Sequence, residues 1–434
     1  MVVIMMLVRS LGSLGSISDG VPARVKGLIF SLAFTSLAVG YLIVYITGYM
    51  PEIGYRSGSI GLLIGVFGLV PILTGIPFGV LSDRKGRKTL LLLGSFGISP
   101  GLFIFALTNS LSYFLVSAVL LGLSEAASLT TWNAIIADQT DMESRTRAFS
   151  LSFVVSTVFT GLGSAVPFSF PFLERSLHLD SITVHQDFMV VFSFLSLATP
   201  VLLWSLLRGY REVISPRSVE KGSQQKKSLR VLLKFSGING LIGLGAGFII
   251  PLIPTWFFLR FGTTDAYSGP LLAVSNITIG LSAIGSSRLA RTYGQVQSIV
   301  MTTGLSTVFM LSLAFVPNAA LAASLYIVRA ALMNMASPLM DSYLMGIIAP
   351  EERGLASAIN SIIWRLPNSV TTIAGGLILG AGLYSLPFLL ATGFYATAIF
   401  LFYMVFKKVG PTVETVVEAS RDVQSVEARL TSAT

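Results

Sequence analysis

The chain is predicted to be an all-α membrane protein, with twelve transmembrane helices arranged as two pseudo-symmetric six-helix bundles. Three observations lead there. Of its 434 residues, 53% are hydrophobic and only 11% charged, against the roughly 25% charge of an average soluble domain. Apolar runs of about 20 residues, the length that crosses a bilayer as a helix, recur along the whole chain with short polar punctuation. Two polar segments are each repeated 208 positions further on. Gly79-Val-Leu-Ser-Asp83-Arg84-Lys85-Gly86-Arg87-Lys88 is echoed by Ser287-Arg-Leu289-Ala-Arg291-Thr-Tyr-Gly294-Gln-Val296, and Glu143-Ser-Arg145-Thr-Arg-Ala148 by Glu351-Glu-Arg353-Gly-Leu-Ala356. Two independent matches at one spacing point to a duplicated chain with internal symmetry.

The spans follow in order at about 27–50, 59–81, 89–108, 111–136, 148–170, 187–208, 231–259, 268–287, 296–316, 320–348, 355–380 and 384–406. The hairpin 79–88 separates the second from the third, the Arg145/Arg147 loop the fourth from the fifth, and the echo the eighth from the ninth. Proline or glycine inside a span is no veto, because neighbouring helices satisfy the freed backbone groups. The basic segment around Ser215-Pro216 and Gln224-Gln-Lys-Lys227 reads as a solvated linker. This divides the chain into a tail (1–26), a first bundle (27–208), a linker (209–230), a second bundle (231–406) and a second tail (407–434).

Basic residues accumulate in the short cytoplasmic loops of membrane proteins. With the amino terminus inside, the cytoplasmic segments hold 24 of the 29 Lys and Arg, and the opposite loops hold only Arg56, Arg175 and Arg260. Both termini are therefore expected in the cytoplasm, on a multi-pass protein of the cell membrane. The net charge of +9 serves topology and contact with anionic headgroups, and leaves no basic domain for nucleic acid. Met1–Val8 is apolar, but Arg9 follows that stretch where a signal peptide would have its charge in front. Cysteine is absent, which excludes disulfides and thiolate chemistry.

The hairpin Gly79–Lys88 resembles the signature loop of the major facilitator superfamily, Gly-x-Leu-x-Asp-Arg-x-Gly-Arg-Lys, in its usual place between the second and third spans. The resemblance covers essentially all of 27–406. It implies a secondary transporter whose two bundles rock about a central cavity, lined mainly by the first, fourth, seventh and tenth spans. Its specificity is high for the family and low for the substrate. Read physically, the hairpin needs Gly86 where the backbone bends, Gly79 for close helix approach, and Arg84, Lys85, Arg87 and Lys88 at the anionic leaflet. Asp83 has two readings: it neutralises its neighbours, or it latches onto the N-terminal end of the helix beginning near Leu355, where the helix dipole favours an anion. The echo carries Arg291 in its place, so such a latch would be one-sided.

Charges inside spans are costly and usually face a cavity or a partner. Four occur: Glu125 near the middle of span four, Arg329 and Asp341 in span ten, and Arg365 near the midplane of span eleven. Asn133 is the offset partner of Asp341, and Asn334 lies between Arg329 and Asp341. These six residues form the candidate substrate or proton cavity. Glu125 is open to two roles, a permanent ion pair with an arginine of the other half, or a carboxyl that binds and releases a proton. Many proton-driven members of the resembled family carry an arginine in span four, where this chain has Glu125. Gly161-Leu-Gly163-Ser-Ala-Val-Pro167 matches the span-five pattern of the family's drug exporters in part.

The remaining polar features read as structural. His178 and His185, with Glu174, Asp180 and Asp187 in the longest outside loop, match no metal-ligand spacing, and Trp256 at a span end reads as an interfacial anchor. The pairs Gly61/Gly65, Gly243/Gly247 and Gly376/Gly380 read as helix-packing contacts. No nucleophile with a positioned histidine, no phosphate-binding loop and no helical metal pair lies in the spans, so neither an enzyme nor a resident cofactor or metal is expected. A filter of repeated polar groups is also missing, which argues against a channel. The expectation is a monomeric carrier of a small solute, coupled to protons or acting as a drug exporter or metabolite carrier. A facilitative uniporter or organic-anion carrier is the alternative, and a transporter-like sensor a remote one.

Overall fold

The computed structural model describes residues 19–210, 225–348 and 353–407. At Asp83, Arg291, residues 142, 143 and 146, and the stretches 225–230, 280–288, 345–347 and 353–355 the description covers the backbone alone. The expected tails and linker lie largely outside the described residues. Every element among the described residues is helical, as a lipid-embedded chain requires, since a helix satisfies its backbone groups internally where no water can.

Among the described residues twelve helical segments follow one another: α1 (Ala23–Glu52), α2 (Ser57–Lys85), α3 (Arg87–Leu107), α4 (Leu111–Asp138), α5 (Met142–Ala165, continued by a 3₁₀ turn into Phe170–Leu177), α6 (Ser181–Leu206), α7 (Gln225–Gly247, then Ile253–Phe261), α8 (Asp265–Tyr293), α9 (Gln295–Leu313), α10 (Ala319–Ile347), α11 (Arg353–Gly380) and α12 (Leu386–Phe406). Eleven of them are long and apolar enough to cross a membrane, and α8, with 29 residues, takes the remaining place. The expected outside loop needs correction. Instead of a long outside loop, α5 runs on to Leu177 and α6 begins at Ser181, with Asp180 capping it through the Thr183 N–H. His185 therefore sits inside a helix.

The packing repeats. In the first half α1 packs on α5 and α6, α3 on α4 and α6, and α2 on α4; in the second half α7 packs on α11 and α12, α9 on α10 and α12, and α8 on α10. Between the halves α2 lies against α11 and α5 against α8, two seams related by the same symmetry. The offset of 208 that links the loop echoes reappears as a contact: Thr255 Oγ1 donates to the Thr47 carbonyl at 2.7 Å. Symmetry-related residues touch where the pseudo-twofold axis passes. Each sits at an irregularity, Thr47 within a π turn at Tyr45–Tyr49 in α1 and Thr255 in the first turn after the break that precedes Ile253 in α7.

Small residues let these helices approach. Gly40 and Gly163 bring α1 and α5 together with no room for a Cβ against Thr160 and Leu37, and Gly243 and Gly247 do the same for α7 against Trp364 and Asn368 of α11. Trp256 is no interfacial anchor. It is 2% exposed, donates to the Tyr384 carbonyl at 3.1 Å and packs edge-on against Phe257, Phe261 and Phe388.

Candidate functional site

The seams between the halves are closed at one end only. Call the end bearing the 79–88 hairpin the hairpin side and the other the far side. A Cβ on Gly61 of α2 would lie 2.7 Å from the Thr372 carbonyl oxygen and 2.9 Å from Gly376 Cα of α11. At its symmetry mate Gly269 of α8, a Cβ would crowd the carbonyl of Ser164 in α5. Gly65 and Gly68 continue the α2 contact against Ile373 and Ser369. Gly75 and Gly79 lie on the same helix face toward the hairpin side, yet a Cβ on either would meet nothing within 4 Å. The close approach expected at Gly79 is thus not made in this conformation. The halves meet on the far side and part toward the hairpin side.

Within that opening, Arg365 of α11 reaches across to Glu125 of α4, Nη1 to Oε1 at 3.3 Å. The two side chains are 43% and 29% exposed, so this is a solvated bridge between the halves rather than a dry one. Asn133 and Asp341 are exposed toward the hairpin side of α4 and α10. Asn334 is half-buried and donates to the Ala330 carbonyl of its own helix. The spacing 334, 337, 341 on α10 and 125, 129, 133 on α4 keeps each set on one face.

Arg329 is not part of this cavity. It is 3% exposed and lies within the second half, donating from Nη2 to the Tyr395 hydroxyl at 2.7 Å, with its guanidinium 5.6 Å from that ring. Its Nε has no partner among the described residues. The sequence offers it a cavity or a carboxylate, and the fold gives it a phenol. Tyr395→Phe should therefore lower the thermal midpoint, because it strips a buried cation of its acceptor at a cost of about 1–3 kcal/mol, while ligand affinity measured by calorimetry stays unchanged. A lost affinity with an unchanged midpoint would return Arg329 to the binding site.

The hairpin is anchored by contacts that sequence reasoning missed. Gly86 takes φ +94°, a conformation that disfavours any side chain. Arg87 Nη1 pairs with Asp138 Oδ2 at 2.8 Å, Tyr210 donates its hydroxyl to the same carboxylate, and Lys88 Nζ donates to the Leu207 carbonyl at the end of α6 at 2.9 Å. Arg84 is exposed. The side chain of Asp83 and those of residues 353–355 at the start of α11, where its latch was expected, lie outside the description. In the neighbouring loop Asp141 caps α5 through the Ser144 N–H, and Arg145 Nη2 donates to the Ala137 and Thr140 carbonyls at the end of α4.

On the far side a second cluster forms between the halves around His185, a residue that reads as structural in the sequence. His185 Nε2 of α6 lies 2.8 Å from Asp265 Oδ2 of α8, and the Asp265 N–H donates to Glu52 Oε1 of α1 at 2.5 Å. His185 and Asp265 are 1% and 4% exposed. The histidine stacks on Tyr49, ring centres 3.5 Å apart and nearly parallel at 8°.

Two symmetric helical bundles, joined by a solvated ion pair and closed at one end, define a membrane carrier. The family model of the Major Facilitator Superfamily matches residues 28–366 and 235–432, and the chain belongs to that superfamily of transporters. It is 24% identical over 376 residues to Multidrug resistance protein 1 of Bacillus subtilis, covering 84% of this chain and 92% of that protein. It is 27% identical over 201 residues to the inner membrane transport protein YajR of Escherichia coli, a match that spans 42% of that relative's length and 46% of this chain. Among solved structures, a bacterial homolog of the human lysosomal transporter Spinster, in an inward-facing and occupied conformation, superposes with a TM-score of 0.67 at 15% identity, covering 88% of this chain and 96% of that one. The nucleoside transporter NupG gives 0.68 at 12% identity, covering 89% and 100%. At these identities the structures share the fold alone.

Proposed function

We propose that the chain is a secondary transporter of the cell membrane that exports small amphipathic cations by alternating access. The observation that carries the reading is the α2 glycine face, tightly packed on α11 from Gly61 to Gly68 and unpacked at Gly75 and Gly79. One continuous face serves two closures, with the far half engaged here and the hairpin half available for the opposite state. The concentration of basic residues in the hairpin-side loops supports a cytoplasmic location for that side, on which reading this conformation is open inward.

Charge supports the substrate class. Glu125, and Asp341 exposed on α10, outnumber Arg365 among the charged candidates of the cavity, and an anionic surplus along a cleft favours cations. A relative matched over 84% of the chain is named for multidrug resistance, which fits an exporter. The second reading, an organic-anion carrier, rests on Arg365 being free of Glu125 in the loaded state.

Vesicles holding the purified chain test this. A fluorescent amphipathic cation should move only in protein-containing vesicles, and an unlabelled cation should compete where a carboxylate does not. Binding without flux would mark a sensor instead. In the same vesicles Asp83→Asn should slow flux while leaving binding intact, as expected of a residue that governs conformational change. Flux equal to that of the unaltered chain would remove Asp83 from gating.

A further inference from the structure

We propose that His185 and Asp265 form a proton-binding site that locks the far-side gate, so that protons on that side hold the transporter shut. The inference rests on the alternating-access reading, and it starts from hydrogen-bond bookkeeping.

His185 Nδ1 lies 2.7 Å from the Ser181 carbonyl oxygen. A carbonyl only accepts, so Nδ1 carries hydrogen. If the ring were neutral, its other nitrogen would present a lone pair, and an ionised carboxylate presents lone pairs too. Yet Nε2 and Asp265 Oδ2 are 2.8 Å apart, a separation that requires a proton between them. An imidazolium facing a carboxylate and a neutral imidazole facing a carboxylic acid both hold that proton. The closed gate therefore carries one proton more than the separated pair of neutral histidine and ionised aspartate.

The surroundings suit a shared proton. The Tyr49 ring lies flat on the imidazole, and an aromatic face attracts a cation. The other titratable groups that reach this cluster are Tyr41, Tyr45, Tyr49 and Glu52 of α1, Glu174 of α5 and Asp180 at the start of α6. All of these are acids or phenols. Glu52 also accepts from the Asp265 N–H at the start of α8, so Asp265 is held by two elements of the first half, α1 and α6.

The pair spans the interface that must part. His185 and Glu52 belong to the first half and Asp265 to the second, beside the axis contact of Thr47 with Thr255. Opening the far side separates imidazole from carboxylate and exposes both to water. A solvated imidazole titrates near about 6.5 and a solvated carboxyl of aspartate near about 3.9. Above about pH 6.5 the opened gate therefore gives up the proton, and closure takes it back. By linkage, the open-to-closed ratio should rise up to tenfold per pH unit above about 6.5 and level off below it.

The chain has no cysteine, which makes a direct test simple. Ser57 is 4% exposed in the far-side seam, with its Oγ 3.1 Å from where a Cβ on Gly380 would lie. Leu177, 60% exposed on the same side, serves as the always-open reference. Ser57→Cys in vesicles is labelled with an impermeant thiol reagent applied to the far side between pH 5.5 and 8.5, each rate divided by that of Leu177→Cys to remove the thiol's own titration. The expected ratio is flat in acid and rises about tenfold per unit above roughly 6.5. In Asp265→Asn the amide N–H donates to the neutral ring, keeping the hydrogen bond without the extra proton, and the profile should flatten. His185→Gln should flatten it too, and stands in for Asp265→Asn if that variant does not fold. A ratio independent of pH in the unaltered background, or an equally steep profile in the variant that folds, overturns the site. Flux in the same vesicles is scored separately, so a flat profile with active transport sinks the lock alone, and absent flux counts against the transporter reading.

Discussion

Gly61→Leu should open the far side while leaving each bundle folded. A Cβ at Gly61 already stands 2.7 Å from the Thr372 oxygen and 2.9 Å from Gly376 Cα, well inside contact distance, and three further carbons have nowhere to go. The obstruction lies between the halves, so the cheapest relief is to part them rather than to repack either core. Overpacking costs typically about 1–3 kcal/mol, which as a bias between two states is roughly a 5- to 150-fold change in population. Spin labels placed in pairs across the far and hairpin sides should report a longer far-side distance and a shorter hairpin-side one. Gly75→Leu makes the opposite experiment. Its Cβ meets nothing within 4 Å here, so the present distances should stay and only the hairpin-side closure should suffer. Both variants should lose transport, one trapped at each end. Gly61→Leu with unchanged distances and full transport would show that the seam is not the moving surface.

A third substitution separates moving seams from fixed ones. Gly40 sits between α1 and α5 of one bundle, tight against Thr160. Gly40→Leu should therefore lower the yield of folded protein instead of shifting distances, because no rigid-body motion relieves a clash inside a bundle.

The architecture was legible because it rests on signals local in sequence. Long apolar runs mark spans, and a repeated loop marks duplication; the Thr47–Thr255 contact and the Gly61/Gly269 pair show the offset of 208 at work in three dimensions. What resisted reading was the direction in which a polar side chain points. A span in a two-bundle protein has faces toward lipid, toward its own bundle, toward the other half and toward the cavity, and one sequence does not tell them apart. Arg329 and Arg365 look alike as buried cations, yet one meets Tyr395 inside its bundle and the other Glu125 across the gap. His185 failed differently. Its partner Asp265 is 80 positions away in the other half, and the apparent loop around the histidine hid a helix. A single signal existed: Asp265, at the symmetry-related start of α8, is an acid where a span begins.

Glu125→Gln should abolish accumulation driven by a pH gradient and spare exchange of solute across the membrane. Glu125 is the carboxylate near the middle of α4, and Arg365, its partner, belongs to the opposite half. Any proton on Glu125 must compete with that guanidinium, so release of the arginine and protonation of the acid are mutually exclusive ways to satisfy one carboxylate. Such exclusivity is what couples a proton to the separation of the halves. Exchange moves no net proton and needs no titrating group at this position. Glutamine keeps the shape and can still accept from Arg365, which isolates the loss of charge. With 29% and 43% of the two side chains exposed, water screens the pair, and its loss should cost at most about 1 kcal/mol of stability; the large effect is expected in the accumulation ratio, which should fall to one. Counterflow of labelled solute and uphill uptake, measured on the same vesicles, divide the outcomes. If Glu125→Gln still concentrates solute, the carboxylate is not the proton's seat. If Glu125→Gln and Arg365→Gln each lower the thermal midpoint and the double change restores it with transport intact, the bridge is structural only.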